Sequence, residues 1–305
     1  MRKVPFLLAL VLLLFSCGVG LEEKEERTSS ETVKSWLYQL QNISPEEISK
    51  TGFDLVVIDY SRDGSQDGEF KREEIEAIKK TGKKVLAYLS IGEAEDYRFY
   101  WKEEWNYNPP PWLGEENPNW PGNYAVKFWY PQWHEIIKSY IDRIVNEGFD
   151  GLYLDRVDEF YYWAKKGELP EKDLALKMVE FIEEISNYCR SKLKNCLIFP
   201  QNGEELLKYY PDRLNRVVNG WACEDLFYNG LNPVSKEETD YRLSLLKKLK
   251  GKLLLSVDYV YNGNDLELVR DYYAKAEKNG FIPYAASVDR ELDRIIEIPG
   301  IQPRR

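Results

Sequence analysis

Eight strand-like apolar runs alternate with helical patterns from Val33 onward, and this alternation constrains the fold more than any other feature. Strands that alternate with helices form parallel sheets. Eight such units predict closure into one (β/α)8 TIM-type barrel, an α/β fold, over residues 33–300. An open doubly wound sheet is the competing arrangement. No glycine-rich phosphate loop follows the first strand, which weakens its nucleotide-binding form.

The predicted strands are short, and glycine or polar residues bound them, as is typical of buried strands. They cover residues 35–40, 53–59, 84–90, 149–155, 196–201, 216–221 with an extension to 224, 253–258 and 281–286. An aromatic and proline-rich insertion, residues 96–129, follows the third strand. We expect this insertion to shape the cleft at that end of the barrel.

The chain begins with a segment typical of a signal peptide. Arg2 and Lys3 precede an apolar run that is too short to span a membrane comfortably, so residues 1–16 are predicted to be a leader. Residues 14–17 resemble a bacterial lipobox, which predicts lipidation of Cys17, with simple secretion as the alternative. Residues 17–32 are acidic and polar and form a predicted flexible tether. The expected product is a secreted lipoprotein held at the membrane of the cell envelope.

Charge and composition argue against several functions. A net charge of −10 leaves no basic face for a nucleic acid. A single histidine argues against a histidine-ligated metal site and against a histidine-based triad. We therefore predict no cofactor and no metal. We expect a monomer whose partners are a polysaccharide substrate and, through its lipid, a membrane.

Polar side chains follow the predicted strands, where the carboxyl ends of parallel barrel strands meet in one mouth. Carboxylates, amides and tyrosines dominate this set, which favours acid–base chemistry by carboxyl groups. Glycoside hydrolysis is the leading reaction of that kind, with one carboxyl as proton donor and a second as nucleophile or base. The set is Gln39, Gln41, Asp59, Tyr60, Ser90, Glu93, Asp155, Asp158, Gln201, Asn202, Glu224, Asp225, Asp258, Tyr259, Ser287 and Asp289.

Asp155 and Glu224 are the predicted catalytic pair, with helix capping or ion pairing as the alternative for each. Glu224 follows the apolar residues 221–223, and dry surroundings raise the pKa of a carboxyl group, which makes Glu224 the better proton donor. Asp155 precedes Arg156, whose positive charge favours the ionised form of a nearby carboxylate. Asp155 is therefore the better anion.

Other polar residues of the mouth are predicted to bind substrate, with a structural hydrogen-bond network as the alternative. They are Asp59, Tyr60, Ser90, Glu93, Asp158, Gln201, Asn202, Asp258 and Tyr259, of which Glu93 and Asp59 are also reserve candidates for catalysis. Aromatic side chains of the insertion form either a sugar-binding platform or a cluster that packs on itself. These are Tyr97, Tyr100, Trp101, Trp105, Tyr107, Trp112 and Trp120.

Four cysteines include one pair that is close in sequence. Cys189 and Cys196 bracket a predicted helix end and a strand start, and both a short-loop disulfide and two free thiols are compatible with this spacing. With that pair bridged, Cys223 is left unpaired. We expect it to pack as a small apolar residue, because no base partner for a nucleophile is visible.

Several motifs resemble those of one glycosidase family in both order and spacing. They are YLSIGEAE at 88–95 with Arg98, GFDGLYLD at 148–155 with Asp158, Gln201-Asn202, Glu224, and VDY at 257–259. Over residues 36–289 the chain resembles the endo-α-1,4-polygalactosaminidase-type glycoside hydrolases, family 114. The resemblance implies an α/β barrel, extracellular hydrolysis of α-1,4-linked galactosamine polymers, and Asp155 with Glu224 as catalytic pair. It also adds Arg98 to the predicted substrate-binding residues.

Three functions remain in competition. The leading hypothesis is an extracytoplasmic glycoside hydrolase that cleaves an α-linked amino-sugar polysaccharide by a two-carboxylate mechanism. The second is a carbohydrate-binding lipoprotein that keeps the barrel but has no turnover. The third is a hydrolase that uses Mg²⁺ or Ca²⁺ bound by carboxylates. Only the first predicts that Glu224→Gln abolishes turnover while leaving polysaccharide binding intact.

Overall fold

Eight parallel strands form the centre of the structure, a computed structural model that describes residues 33–264 and 266–304. They pair in chain order, as one sheet of five strands and one of three. The predicted α/β arrangement of eight strand–helix units is therefore confirmed. The strands are β1 (Trp36–Gln39), β2 (Leu55–Ile58), β3 (Lys84–Ser90), β4 (Gly151–Asp155), β5 (Leu197–Pro200), β6 (Gly220–Glu224), β7 (Leu253–Tyr261) and β8 (Phe281–Ser287).

Two contacts connect the sheet of β1 to β5 with the sheet of β6 to β8. An isolated parallel bridge pairs Gln201 with Ala222, between the ends of β5 and β6. On the other side, the indole Nε1 of Trp36 in β1 donates a hydrogen bond to the carbonyl of Ile282 in β8 at 2.9 Å. The strands thus follow one another in a ring, and their carboxyl ends face one mouth.

Aromatic side chains fill the space that the strands enclose. Trp36 and Tyr38 of β1 contact Tyr153 of β4, with ring centroids 6.1 and 5.2 Å apart. Trp36 also contacts Tyr284 of β8, at 5.9 Å. All four side chains are buried. Because rings from strands far apart in the ring touch one another, the interior is packed, and room for a substrate is left only at the mouth.

Helices separate the strands, as the alternating pattern predicts. Their bounds are α1 (Pro45–Lys50), α2 (Arg72–Lys79), α3 (Pro131–Asn146), α4 (Glu159–Lys165), α5 (Glu171–Lys192), α6 (Leu206–Tyr209), α7 (Pro211–Val217), α8 (Lys236–Leu246) and α9 (Leu266–Lys278). Within residues 33–264 and 266–304, none combines the length and the apolar character needed to cross a membrane. The predicted leader, the tether and the lipidation site Cys17 lie outside the described residues.

The predicted sixth strand begins too early in the chain. Arg216 and Val217 end helix α7, which starts with Pro211 at a favourable first position. Strand β6 begins only at Gly220, where a Cβ atom would lie 2.1 Å from Cε1 of the Phe199 ring. Residues 216 and 217 were predicted to belong to the strand, but the proline-led helix continues through both of them.

Left-handed backbone follows several strand ends. Arg156, Asn202, Asp225 and Arg290 have φ values between 48° and 62°, although none of them is glycine. Such a conformation costs on the order of 1–3 kcal/mol per residue and often occurs at functional sites. Arg156 and Asp225 directly follow the polar residues that end β4 and β6, and Asn202 follows Gln201, which lies just beyond β5. The chain therefore turns away sharply there and leaves those polar side chains at the mouth.

The insertion after β3 folds into a small antiparallel sheet rather than an irregular loop. Its strands are Glu93–Glu95, Leu113–Glu116 and Asn123–Val126, with the third in the middle, and a 3-10 helix covers Glu103–Asn106. Between the second and third strands, the side-chain amide of Asn117 donates to Glu93 at 2.8 Å. This bond ties the loop between the last two strands of the small sheet to its first strand, which follows β3.

The insertion aromatics divide into two groups. One group is buried and packs on the protein itself, for example Trp105 on Trp112 with ring centroids 5.1 Å apart. The other group keeps a large exposed surface: Tyr97 is 42%, Tyr107 80% and Trp120 54% exposed. The buried aromatics therefore pack on the protein itself. Only the exposed aromatics could contribute to a sugar-binding platform.

A disulfide joins Cys189, near the end of α5, to Cys196, directly before β5, with 6.0 Å between their Cα atoms. It is one of the two arrangements that the sequence left open. Cys223 is free and buried in the hydrophobic core next to Glu224. The disulfide lies at the amino end of β5, away from the mouth.

Candidate active site

One side-chain amide connects the two predicted catalytic carboxyl groups. Nε2 of Gln201 lies 3.3 Å from Oδ1 of Asp155 and 2.6 Å from Oε2 of Glu224. Oδ1 of Asp155 and Oε2 of Glu224 therefore lie within about 6 Å of each other. Retaining glycosidases hold their carboxyl groups about 5–5.5 Å apart, and inverting glycosidases about 6.5–9.5 Å apart. The separation in this site falls below the inverting range.

Strands β4 and β6 position the pair in the same way. Each strand is buried up to its final residue, and that residue, Asp155 or Glu224, is partly exposed. The left-handed residues Arg156 and Asp225 follow directly. The packed interior thus supports both side chains from below, while their carboxyl groups face the mouth.

Three side chains surround the carboxyl group of Glu224. Besides Gln201, the Tyr259 hydroxyl donates to Oε1 at 2.5 Å, and Nδ2 of Asn202 donates to Oε2 at 3.0 Å. The side-chain Oδ1 of Asn202 accepts from the backbone N–H of Glu224 at 2.9 Å. Burial and the nearby charge of Asp155 raise the pKa of Glu224 to about 7, against the opposing effect of the Tyr259 and Asn202 bonds. Glu224 can therefore both give and take a proton near neutral pH.

Asp155 has a different set of partners. Tyr88 of β3 donates to its Oδ2 at 2.7 Å. Burial raises the pKa of Asp155, while the Tyr88 bond and the positive charge of Arg156 lower it. The Arg156 guanidinium pairs elsewhere, with Glu159 at 2.6 Å and Glu93 at 3.0 Å. Arg156 therefore acts on Asp155 through its charge rather than through a direct ion pair.

Glu93 belongs to a buried group behind Asp155. It is 3% exposed, pairs with Arg156 and accepts from Asn117 of the insertion. Burial raises the pKa of Glu93, and it raises that of Glu159 to about 8. Oε1 of Glu159 and Nε of Arg156 are buried without a hydrogen-bond partner among the described residues. This group connects the insertion to the turn after the catalytic aspartate.

Asp59, Tyr60 and Arg98 are predicted substrate contacts that the structure does not bring to the pair. Arg98 donates to both Asp59 oxygens, at 2.9 and 2.7 Å, and to Glu95 at 2.6 Å. Its side chain is 1% exposed. Tyr60 is fully buried, and its ring centroid lies 4.7 Å from that of Tyr140. The three residues form part of a buried network, so they have almost no surface for a polysaccharide.

The other predicted contacts divide between the interior and the mouth. Asp258 is fully buried, and its carboxylate accepts from the backbone N–H groups of residues 226–228, so it anchors the segment after β6. Ser90 is buried and accepts from the Glu93 backbone N–H at 3.3 Å. Asp158 is partly exposed in the turn after β4 and is available to a substrate.

Sequence reasoning missed Tyr88 and Arg290 as members of the site. Tyr88 shares a strand face with Ser90, two residues before the strand end, and that alternation was the available signal. Arg290 follows β8, and its Cζ lies 4.3 Å above the Tyr259 ring. Its Nη2 donates to Asp225 at 2.8 Å. Arg98 was the basic residue that the resemblance placed in the mouth, and no sequence motif pointed to Arg290.

Metal binding was the remaining chemical alternative. Within the part of the chain that the structure describes, no group of three or more His, Cys, Asp and Glu side chains is arranged to hold a metal ion. The groups that do converge are two carboxyl groups, two amides and two tyrosines. The prediction that no metal takes part stays a prediction.

Two carboxyl groups close together at the carboxyl ends of parallel strands form the arrangement that glycoside hydrolases with a two-carboxylate mechanism use. A family model described as glycoside-hydrolase family GH114 matches residues 21–302. The chain belongs to this family, and the predicted resemblance and glycosidase activity class are confirmed.

The chain is also similar to other proteins in sequence and to solved structures in fold. A protein of Thermotoga maritima, described only as uncharacterized, is 52% identical over 275 residues, which are 88% of this chain and 85% of the relative. The glycoside hydrolase domain of PelA from Pseudomonas aeruginosa has a TM-score of 0.67 at 18% identity, over 87% of this chain and 98% of that domain. Aspergillus fumigatus Ega3, solved in complex with galactosamine, has a TM-score of 0.64 at 15% identity, over 85% and 92%. The structural matches confirm the predicted fold class.

Proposed function

We propose that the chain is an extracytoplasmic glycoside hydrolase that cleaves α-linked, galactosamine-containing polysaccharide, with Glu224 as general acid and base and Asp155 as nucleophile. The observation that carries this proposal is the Gln201 amide, which lies within hydrogen-bond distance of both carboxyl groups. Two carboxyl groups that share one donor flank a single position in the mouth, as the two sides of one glycosidic bond require.

The reaction proceeds in two displacements. In the first, protonated Glu224 gives its proton to the glycosidic oxygen while an Asp155 oxygen attacks the anomeric carbon. The bond to the leaving sugar breaks, and a glycosyl ester forms. In the second, ionised Glu224 takes a proton from water, the water oxygen attacks the anomeric carbon, and the ester bond to Asp155 breaks. Two inversions retain the configuration, and a pKa of about 7 suits Glu224 to both roles.

Charge and similarity support an amino-sugar substrate. The chain carries a net charge of −10, and the partly exposed carboxylates of Asp158 and Glu205 follow β4 and β5 at the mouth. Negative potential in a cleft attracts a cationic polymer and raises its local concentration. The Ega3 structure, which has a similar fold, contains galactosamine. A polymer with protonated amino groups fits these features better than a neutral or acidic polysaccharide.

Two observations support a location outside the cytoplasm. Residues 1–17 have the basic start, apolar centre and cysteine of a lipoprotein leader. The Cys189–Cys196 disulfide is typical of an oxidising compartment. We therefore propose that the enzyme is exported and anchored through a lipid on Cys17, with residues 17–32 as the tether.

The test is a polysaccharide panel with paired variants. Wild type, Glu224→Gln and the exposed-surface control Glu237→Gln are incubated with de-N-acetylated α-1,4-galactosamine polymer, its N-acetylated form and an α-1,4-glucan. Release of reducing ends and binding to each polymer are both measured. We expect turnover of a galactosamine polymer by wild type and the control, and binding without turnover by Glu224→Gln.

Other outcomes identify the competing functions. Binding without turnover in all three proteins on every polymer would establish the carbohydrate-binding lipoprotein instead. Turnover that a chelator abolishes and that persists in Glu224→Gln would establish the metal-dependent hydrolase. Turnover confined to the glucan would retain the glycosidase but overturn the proposed sugar.

A further inference from the structure

Arg242 on α8 lies beneath the turn that carries the catalytic acid. Its Nη1 donates to the backbone carbonyls of Glu224 and Asp225, each at 3.1 Å. Its Nε donates to the carboxylate of Glu204, with which it forms an ion pair. The side chains of Arg242 and Glu204 are 14% and 2% exposed, so water screens this arrangement weakly.

The turn that Arg242 contacts is under backbone strain. Asp225 has a φ of 48°, a left-handed conformation that a residue with a side chain rarely adopts. Such a conformation persists only where the surroundings hold it firmly. Arg242 bonds the two carbonyls of this turn, and Arg290 bonds the Asp225 carboxylate at 2.8 Å. The conformation that aims the Glu224 carboxyl group into the mouth is therefore held from outside the turn.

The same guanidinium connects two parts of the site. Glu204 lies in the turn after β5, two residues beyond Asn202, which contacts the Glu224 carboxyl group. Arg242 thus ties the turn that supplies the amide donors to the turn that supplies the acid. A planar guanidinium can serve a carboxylate and two carbonyls at once, whereas a lysine ammonium lacks this fork geometry.

We propose that Arg242 is a positioning residue for catalysis, which fixes the Glu224 carboxyl group against Gln201, Asn202 and Tyr259 without touching the substrate. This inference rests on the proposed role of Glu224 as general acid and base. Without the contacts of Arg242, the turn after β6 relaxes and the Glu224 carboxyl group becomes more hydrated. Its pKa then falls from about 7 toward the ordinary value of 4.5, because burial is the main cause of the increase.

The experiment compares four proteins: wild type, Arg242→Lys, the double variant Arg242→Met with Glu204→Gln, and Arg213→Met. The double variant removes both charges, so that no unpaired charge is left buried. Arg213 forms a comparable two-bond ion pair with Glu183, on α7 and α5, and is the matched control. Folding is followed by thermal melting, and kcat, KM and the pH profile are measured on the galactosamine polymer. The Glu224 carboxyl group is titrated by ¹³C NMR after labelling with glutamate, with Glu224→Gln to assign its signal.

We expect the double variant to lose at least about tenfold in kcat, with KM changed less than about threefold, because a misplaced catalytic group affects the chemical step most. Its Glu224 titration midpoint and the basic limb of its pH profile shift to lower pH. Arg242→Lys gives an intermediate result, and Arg213→Met matches wild type in kcat and in both pH readouts. If the double variant does not fold, Arg242→Lys carries the test.

An unchanged Glu224 midpoint together with a wild-type kcat in a folded Arg242 variant would overturn the inference. A loss of kcat that is fully explained by a smaller folded fraction, with both pH readouts unchanged, would also overturn the inference. Arg242 would then have a purely structural role. The NMR midpoint does not depend on turnover. If wild type cleaves none of the polymers, the proposed function fails, and the midpoint still decides whether Arg242 sets the state of Glu224.

Discussion

Tyr259 donates a hydrogen bond to Oε1 of Glu224, the carboxyl oxygen opposite the one that the two amides contact. This bond favours the ionised form of Glu224 and lowers its pKa. Tyr88 has the same effect on Asp155 through its bond to Oδ2. The pKa of each proposed catalytic carboxyl group is therefore lowered by a hydrogen bond from one tyrosine.

Removing each tyrosine hydroxyl is expected to move one limb of the pH profile. Tyr259→Phe raises the pKa of Glu224, so the basic limb of kcat/KM moves to higher pH. Tyr88→Phe raises the pKa of Asp155, so the acidic limb moves to higher pH. The profiles are measured beside Tyr107→Phe, a control on a side chain that is 80% exposed. If Tyr259→Phe moved the acidic limb and Tyr88→Phe moved the basic limb, the roles of Asp155 and Glu224 would be reversed.

Glu224 is expected to lower the free energy of unfolding at alkaline pH. The pKa of Glu224 is raised from 4.5 to about 7 in the folded protein, so folding favours its protonated form. That contribution to the free energy of unfolding is complete below pH 4.5 and is lost as the pH rises through 7. Glu224→Gln is therefore expected to be more stable than wild type by roughly 2 kcal/mol at pH 8, after allowance for partial exposure of the carboxyl group.

Denaturant unfolding at pH 4.5, 6 and 8 checks this prediction. The stability difference between Glu224→Gln and wild type should grow with pH over this range. A difference that is constant across the three pH values would show that the Glu224 charge is not disfavoured by the fold. Glu237→Gln provides the baseline for replacing an exposed glutamate.

The separation of the carboxyl groups predicts the configuration of the product. Because the Gln201 contacts place the two oxygens closer than about 6.5 Å, we expect retention of configuration. Cleavage of an α-linked polymer should therefore release the α-anomer first, before it equilibrates with the β-anomer. Proton NMR of the anomeric signals in the first minutes of the reaction measures this directly. Early appearance of the β-anomer would require a water molecule between the carboxyl groups and a more open site.

Asp59 is expected to act on stability rather than on substrate binding. It pairs with Arg98, whose side chain is 1% exposed, so Asp59→Ala leaves a buried positive charge with one partner fewer. Breaking a buried pair in this way costs about 3–5 kcal/mol. Thermal melting should show the loss, with KM unchanged for the folded fraction.

Asp158→Ala is the matched substitution at the mouth. Because Asp158 is partly exposed, we expect little change in melting temperature and a higher KM for a cationic polymer. A raised KM with unchanged stability in Asp59→Ala would instead restore the substrate-binding role that the sequence predicts for Asp59.

The disulfide should contribute to stability without affecting catalysis. Cys189 and Cys196 close a short loop at the amino end of β5, away from the mouth. Loop-closure entropy for a loop of this length corresponds to about 2 kcal/mol. Replacing both buried cysteines with alanine should lower the free energy of unfolding by at least that amount and leave kcat unchanged, with Cys223 still free. A fall in kcat without a loss of stability would contradict this view of the bridge.

The fold could be predicted from the sequence because its signals are local and repeated. Each buried strand ends abruptly in polar residues, and the mouth is a necessary consequence of eight such ends in a parallel ring. Asp155 and Glu224 could be chosen because each follows an apolar run directly. The error at Arg216 arose where a proline-led helix runs through residues that also suit a strand.

The sequence could not predict which polar residues near the mouth remain accessible. Asp59 and Asp258 follow apolar runs in the sequence as Asp155 does, but Arg98 and three backbone N–H groups, respectively, occupy their carboxylates. Those partners come from distant segments, so no local pattern reveals them. Arg242 acts from a helix, and nothing in its neighbourhood along the chain points to Glu224.

The ion pair from Glu93 to Arg156 has a consequence for how enzymes of this family diverge. The small sheet after β3 is internally paired, and this ion pair fixes it near the turn after Asp155 without supplying either catalytic carboxyl group. A homologue can therefore exchange that module for one of another length or polarity and keep the reaction centre intact. Grafting the module between two such enzymes is accordingly the most direct route to a new sugar preference on an old catalyst.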